Sequence, residues 1–155
     1  MRRKGKDGGN MAKRINNMED LAKAVQLVML GVVNQLADQV YKVLNHYLND
    51  YYTGWTPESY QRTKDFLYSA VKTEAKMAGN KCVASVYIDY DSMDSYVKAT
   101  GYEVASWANT GLHGGLSVNH KPHVWNDTMD NTINNGSLLK AAIEYLKSKG
   151  FSVRM

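Results

Sequence analysis

The stretch "MEDLAKAVQLVMLGVVNQLADQVYKVLNHYLND", residues 18–50, decides the fold of this 155-residue chain. Its apolar residues recur at spacings of three and four, the period of an amphipathic α-helix. Asn17 can cap this helix, and Glu19 and Asp20 place carboxylates at the positive end of its dipole. The sequence therefore predicts one long helix from Met18 to about residue 50. The stripe consists of Met18, Leu21, Val25, Val28, Val32, Leu36, Val40, Val43 and Tyr47.

This helix is too long for the domain that contains it. At 1.5 Å per residue it spans roughly 50 Å, whereas a compact chain of this length has a radius of gyration near 15 Å. Further apolar residues widen the stripe beyond what one core face needs, so we expect an overhang whose surplus apolar surface is covered by a partner. A break at Gly31, giving two shorter helices on one core, is the alternative. The additional residues are Leu27, Leu30, Val33 and Leu44.

The next segment, "YYTGWTPESYQRT" at residues 51–63, places four large aromatic rings beside an arginine. Thr56 followed by Pro57 predicts a short helical turn from Thr56 to about Gln61. A second helix is predicted from Lys64 to about Met77, ended by Gly79 and Asn80. It would carry Phe66, Leu67, Ala70 and Val71 on one side.

Downstream, "KCVASVYID" at residues 81–89 alternates apolar and polar positions and predicts a strand. From Tyr102 the pattern is ambiguous, and we favour extended structure entering a loop over a single helical turn through Trp107. The loop, Asn109–His123, is rich in Gly, Asn and His, and a long irregular loop in a small domain is either functional or disordered.

The chain closes with helical sequence. A helix is predicted to begin at Asp127 or Thr128, to be interrupted near 134–136, and to resume where Ser137 caps "LLKAAIEYLKSK" before Gly150 ends it. The order predicts an α+β fold: a long N-terminal helix, a second helix, a small antiparallel sheet and a C-terminal helix. We expect residues 18–155 to form a single domain after a basic, flexible extension at 1–17.

Composition excludes several classes of protein. The only cysteine, Cys82, rules out a disulfide framework and a thiolate metal cage. No apolar run is long enough for a membrane span, and no apolar core of a signal peptide follows the basic start. We therefore expect no membrane partner.

The net charge of +4 is located almost wholly in the first fourteen residues, where six cations face Asp7. The remainder of the chain is close to neutral. Such an extension is either a solvated appendage or a contact to DNA or to an acidic neighbouring subunit. The candidate contact residues are Arg2, Arg3, Lys4 and Lys6.

One constellation could bind a metal ion. His113, His120 and His123 lie in one loop with Asp127 just beyond, and imidazoles with a carboxylate suit zinc or another transition metal. The spacing matches no helix-borne metal pair or zinc finger. No nucleophile turn and no phosphate-binding loop occurs, so we expect no catalytic residues and no cofactor. A metal-binding enzyme that uses the 113–123 histidine loop remains the alternative from another class.

The aromatic segment allows two interpretations. Rings beside Arg62 can stack on single-stranded nucleic acid, but that mode needs a positive groove, and the body of the chain is neutral. Tyr, Trp and Arg also concentrate in protein interfaces. We favour the second interpretation, with Tyr60 and Arg62 setting the angle between two helices and offering rings to a neighbour.

Three blocks carry a family resemblance: "YYTGWTPESYQRTKDFLYSAV", "GYEVASWANTGLHGG", and "HVWNDTMDN" with a closing "LKSKGF". In order and spacing they resemble the tail-completion (neck, head–tail joining) proteins of long-tailed bacteriophages, the family of the lambda-type minor tail protein Z. Together they cover Tyr47 to Phe151. The positions that match are Tyr60, Arg62, Thr63, Trp107, Ala108, Asn109, Gly111, His113 and Gly114.

The resemblance implies a small α+β subunit without catalytic residues that forms a ring, hexameric in that family, around the DNA channel of the virion. The ring would join the tail tube to the head connector, and it would be assembled in the host cytoplasm. Asn109, Gly111 and Gly114 would then shape a loop, and His113 would be a polar strut. The basic extension lies outside the family pattern. A tail terminator or head-closure protein of the same particle is the nearest alternative.

Overall fold

The computed structural model describes residues 15–54, 63–93, 98–113, 116–117 and 121–154. The fold is α+β, as predicted. Four α-helices are described: α1 (Met18–Thr53), α2 (Gly101–Thr110), α3 (Val124–Met129) and α4 (Ser137–Ser148). A 3-10 turn (Phe66–Tyr68) follows α1, and a π-helical turn (Asp130–Asn134) continues α3. The short strands are β1 (Ala70–Lys72), β2 (Lys76–Ala78), β3 (Lys81–Val83), β4 (Val86–Ile88), β5 (Leu112–His113) and β6 (Leu116–Ser117).

The long helix is confirmed, and it is continuous through Gly31. Asn17 caps it, since its Oδ1 accepts a hydrogen bond from the backbone N–H of Asp20 at 2.8 Å. Within the described part of the chain, no helix is both long and apolar enough to cross a membrane.

The hydrophobic core lies against the second half of α1. Leu44 and Leu48 are fully buried there. The prediction that Leu44 belongs to the surplus of the stripe is therefore wrong, because the elements that pack on α1 bury Leu44 and Leu48 more deeply than Val43 and Tyr47, which are only half-buried. The core cluster consists of Leu44, Leu48, Tyr51, Phe66, Ala70, Ile88, Met93, Ala105, Ala108 and Val124.

Helix α4 packs antiparallel against the middle of α1. Gln39 Nε2 donates a hydrogen bond to Ser137 Oγ at 3.2 Å, and Tyr145, two turns further along α4, lies against Gly31. No residue of α4 is fully buried.

A second set of contacts fixes the segment around β1 to α1. Lys72 Nζ lies 2.7 Å from Asp38 Oδ1 and 3.1 Å from Glu74 Oε1. Hydrogen bonds to Asp38 and then Glu74 raise the pKa of the Lys72 ammonium above its ordinary value. Asn34 Oδ1 accepts a hydrogen bond from the backbone N–H of Ala75 at 2.6 Å.

The predicted helix from Lys64 to Met77 is wrong. Lys64 has a φ of 66°, which interrupts any helix at its start. After the 3-10 turn, Ala70 pairs with Ile88, and Lys76–Ala78 pairs with Lys81–Val83. Long-range pairing has overridden a local pattern that also fitted a helix. The predicted turn of helix from Thr56 to Gln61 lies outside the described residues.

The predicted strand at 81–89 is divided in two. β3 pairs with β2 around a turn at Gly79 (φ 63°), whereas β4 pairs with β1. The described strands therefore form three two-stranded antiparallel sheets, the third being β5 with β6. The prediction that the strands are antiparallel is confirmed, but the described strands form three small sheets rather than one.

The extended structure favoured for the segment after Tyr102 is wrong, since Gly101–Thr110 is helical. Thr100 and Glu103 form a reciprocal capping box that starts α2. The predicted 109–123 loop accordingly contains the last helical residues and the β5–β6 hairpin.

The C-terminal helices differ from the prediction in detail. α3 begins at Val124, earlier than predicted. The predicted interruption lies at Gly136, which has a φ of 75°. Ser137 does not cap α4, because its hydroxyl donates instead to the carbonyl of Thr132 at 2.9 Å and so closes the preceding π-helical turn.

Candidate functional site

The open edge of β4 forms one wall of a groove. The ladder with β1 continues beyond the strand ends, since Asp89 N–H bonds to the Ser69 carbonyl at 2.8 Å and Thr73 N–H bonds to the Ser85 carbonyl at 2.9 Å. In an antiparallel ladder alternate residues point their backbone groups to the partner. The N–H and C=O of Val86 and Ile88 therefore point away from β1, and no partner for them occurs among the described residues.

Helix α2 forms the opposite wall. Its residues on the groove recur at helical spacing and share one face. The start of α2 is fixed by close packing, because a Cβ at Gly101 would contact the backbone oxygen of Tyr90 and would lie 2.8 Å from Cβ of Met93. The wall consists of Tyr102, Ala105, Ser106 and Asn109.

The groove has a volume of about 300 Å³, and four of its nine lining residues are aromatic. Tyr90 and Tyr102 meet edge to face, with 5.5 Å between ring centroids. Their rings are 44% and 63% exposed, so they offer apolar and π surface to a ligand. Tyr87 and Trp125 complete the aromatic lining.

Two asparagines close one end of the groove by linking α2 to α3. Asn109 Oδ1 accepts a hydrogen bond from the backbone N–H of Asn126 at 2.8 Å, and Asn109 Nδ2 donates to Asn126 Oδ1 at 3.2 Å. Asn109 thus serves as a side-chain cap for the first turn of α3, which orients the neighbouring Trp125.

Three acidic residues adjoin Tyr90 and Tyr102 in the sequence. Asp89 and Asp91 flank Tyr90, and Glu103 follows Tyr102. The backbone N–H and then the hydroxyl of Thr100 donate to the Glu103 carboxylate, and these bonds hold its pKa below the ordinary value. We call Asp89, Asp91 and Glu103 together the acidic rim.

The predicted motif residues are only partly brought together. Ala108 is a fully buried core residue, Trp107 is half-buried, and Asn109 lines the groove. Gly111 ends α2 with a φ of 77°, and its N–H donates to the carbonyl of Trp107. Thr63 is exposed, and its Oγ1 accepts from Asp65 N at 3.5 Å, remote in sequence from the others.

Several predicted site residues lie outside what the structure describes. His113 is described only as a backbone position in β5. The remaining ones are Tyr60, Arg62, Gly114 and the basic residues Arg2, Arg3, Lys4 and Lys6.

The histidine loop has one described imidazole. His123 is the N-cap of α3, and its backbone N–H donates to Asp127 Oδ2 at 2.9 Å, so this carboxylate already serves the helix start. His123 Nε2 is buried and has no hydrogen-bond partner in the part of the chain that the structure describes. His120 falls outside the described residues, and among those described no group of three His, Cys, Asp or Glu could hold a metal ion.

The first half of α1 is a second candidate surface, which we call the α1 overhang (residues 18–31). The buried residues of α1 begin only at Val32. The predicted overhang is therefore present, with apolar side chains in solvent. Those on the overhang are Met18 (77% exposed), Leu21 (39%), Val25 (39%), Leu27 (66%) and Met29 (40%).

Apart from Asn109, sequence reasoning missed the residues that build the groove. Thr100 and Glu103 match the capping-box pattern, which would have predicted α2 and hence the common face of Tyr102 and Asn109. The approach of Tyr90 to Tyr102 had no comparable local signal.

Comparison with known proteins gives one result. A family model described as YomN matches residues 17–148. No curated protein and no solved structure matches the chain.

Proposed function

The chain belongs to the YomN family, which is associated with bacteriophages, and from this premise we propose that it is a structural subunit of the phage neck. In this role it is a tail-completion protein with no catalytic residues. Copies close into a ring, a hexamer by analogy with the tail-completion proteins, that joins the tail tube to the head connector around the DNA channel. The protein would be assembled in the host cytoplasm and retained in the virion.

The α1 overhang is the observation that carries the proposal. The helix spans about 54 Å, yet none of the residues that it buries precedes Val32. Five apolar side chains of the overhang remain partly or largely exposed. At ~25 cal/mol per Å² of apolar surface, covering them contributes on the order of 1 kcal/mol each. A free energy of this size favours association between subunits.

Helix α4 supplies a control position for the test. It is amphipathic, buries no residue fully, and carries Leu139, which is 63% exposed. A single exposed leucine is common on protein surfaces, so Leu139 by itself does not indicate an interface.

A matched pair of substitutions tests the proposal. Leu27→Asp and Leu139→Asp introduce the same charge at positions of nearly equal exposure, 66% and 63%. Native mass spectrometry of the wild type, alone and with tail-tube protein, should reveal oligomers. Leu27→Asp should abolish them, whereas Leu139→Asp should leave them largely intact. A wild-type chain that stays monomeric in both mixtures would contradict the proposed ring.

The position in the particle is tested separately. An image of the virion with this subunit labelled should place the label at the head–tail junction, between the tube and the connector. Label at the tail side of the neck alone would favour a tail terminator, and label at the head side alone would favour a head-closure protein.

The competing hypothesis is a metal-binding enzyme that uses the 113–123 histidine loop, in which the buried Nε2 of His123 has no hydrogen-bond partner among the described residues. Elemental analysis of the purified chain should find no stoichiometric transition metal, and His123→Ala should leave assembly intact. Stoichiometric zinc that disappears in His123→Ala would favour the enzyme instead.

A further inference from the structure

The groove between β4 and α2 has the properties of a site for an extended peptide. One wall of the groove is the edge of β4, at which the backbone groups of Val86 and Ile88 have no partner in the described structure. Buried or half-buried backbone groups of this kind favour pairing with an added strand. Helix α2 lines the other side of the groove, opposite this edge.

The acidic residues and the aromatic rings at the groove favour binding of a cationic segment. Asp89 and Asp91 flank Tyr90 in the sequence, and Glu103 follows Tyr102, whose ring Tyr90 meets edge to face. Exposed tyrosine faces attract lysine and arginine through cation–π contacts, and nearby carboxylates add attraction between opposite charges. Lys98 is the one cation among the described residues of 86–91 and 98–109.

The chain itself contains one segment with this chemistry. Residues 1–14, "MRRKGKDGGNMAKR", carry six cations and three glycines that allow close approach of backbone to backbone. This segment precedes α1 directly, at the far end of the overhang from the groove.

The distance along α1 indicates whether residues 1–14 bind the groove of their own copy or the groove of another copy. The groove residues Ile88 and Ala105 belong to the same core cluster as Leu44. Between Met18 and Leu44 the helix rises about 39 Å. Fully extended, residues 2–14 reach about 45 Å, and as a relaxed chain they span only about 20 Å. To reach its own groove, the segment would use most of its length before making a contact.

We propose that residues 1–14 of one copy bind as an added strand in the β4–α2 groove of a second copy. This inference rests on the proposed function, because assembly of copies through the α1 overhang brings the segment of one copy to the groove of the next. The arginines and lysines lie on the tyrosine rings and beside the acidic rim, and the backbone pairs with Val86 and Ile88. The extension thereby links neighbouring subunits of the ring.

Crosslinking between distinguishable copies tests this directly. A photoreactive benzoylphenylalanine replaces Ser106, an exposed groove residue whose side chain makes no described hydrogen bond, in the full-length chain. This protein is mixed with an equal amount of ¹⁵N-labelled wild type and irradiated. Mass spectrometry should find crosslinks from position 106 to residues 2–14 of labelled copies. The same crosslinker at exposed Ser148 on α4 is the control and should not reach that segment.

A second arm tests the chemistry of recognition. A fluorescent peptide of residues 1–14 is titrated onto full-length chain in which Arg2, Arg3, Lys4 and Lys6 are changed to Gln. Binding should weaken with rising salt, and it should fall about five- to ten-fold in a further Tyr102→Ala variant. Asp91→Lys should weaken it as well, since it reverses one charge of the rim.

The outcomes separate this inference from the proposed function. Oligomers without crosslinks from position 106 to residues 2–14 of another copy would overturn the inference and leave the ring intact. A monomer without any crosslink between copies would count against both. Loss of the crosslinks on addition of duplex DNA at physiological salt would assign the segment to DNA, and would also overturn the inference.

Discussion

The phenol ring of Tyr145 occupies the space beside Gly31 that a larger residue of α1 would need. A Cβ at position 31 would contact Tyr145 Oη and would lie 2.8 Å from Cζ. The glycine thus lets α4 approach α1 closely, at the level where the α1 overhang begins. At a helix position without such a close contact, a glycine would only destabilise the helix relative to alanine.

The first prediction concerns Gly31→Ala. Alanine favours a helix interior by about 1 kcal/mol over glycine, but overpacking typically costs 1–3 kcal/mol. Because Tyr145 must move, we expect a net loss of about 1 kcal/mol in the free energy of unfolding, measured by urea denaturation. In a Tyr145→Ala background the same substitution should instead stabilise. Equal effects in both backgrounds would mean that the two residues do not interact.

A second prediction compares two leucines of α1. Leu44→Ala should lower the free energy of unfolding by 2–5 kcal/mol, since it leaves a cavity in the core. Leu27→Ala should change it by less than about 0.5 kcal/mol in dilute, monomeric samples, because Leu27 is 66% exposed. Urea denaturation of both variants checks this. A large loss at Leu27 would show that the overhang is packed within its own copy.

The third prediction concerns the link between α2 and α3. Asn109→Ala removes the acceptor for Asn126 N–H and should destabilise the protein by about 1 kcal/mol. Asn134→Ala is a suitable control, since its amide donates only to the exposed Asp130 one turn away. We expect a clearly smaller effect there in thermal unfolding. Similar losses in both variants would argue against a special role for the Asn109 link.

A fourth prediction follows from the lowered pKa of Glu103. A carboxylate whose pKa is lower in the folded state contributes stability above its ordinary value of 4.5, and loses it as the pH falls through the folded value. Wild type should therefore exceed Glu103→Ala in melting temperature at pH 7, and the difference should shrink below pH 4.5. Melting curves from pH 7 to pH 3 measure this.

Glu144→Ala provides the control for the pH series, because Glu144 is exposed on α4 and has no described hydrogen bond. Its difference from wild type should be small throughout. A pH-independent difference for Glu103→Ala would mean that packing rather than the charged cap is lost.

The long helix was predictable because its period extends over many turns and Asn17 marks its start. The side of α1 that packs into the core was not predictable from the sequence. Leu44 and Val43 lie on adjacent lines of one wide stripe, and the elements that cover Leu44 come from far along the chain. A wide apolar stripe predicts that one face of the helix is buried. It does not predict which row of residues on that face is buried most deeply.

The errors after α1 have two physical origins. Phe66, Leu67, Ala70 and Val71 fit a helix locally, but β1 gains partners in β4 that no local pattern reveals. The other errors had a missed local signal. Gly79–Asn80 is a two-residue hairpin turn rather than a helix stop, and Thr100 with Glu103 is a capping box. Of the groove, only Asn109 was singled out from sequence, through the family resemblance.

The placement of the core on the second half of α1 has a consequence during synthesis. Leu44 and Leu48 leave the ribosome well before Ala105 and Val124, against which they pack. The apolar face of the nascent helix therefore stays uncovered until most of the chain has been synthesised. When folding is complete, the part of α1 from Val32 onward carries the buried residues, and the apolar side chains of the helix that stay in solvent lie mainly on the α1 overhang.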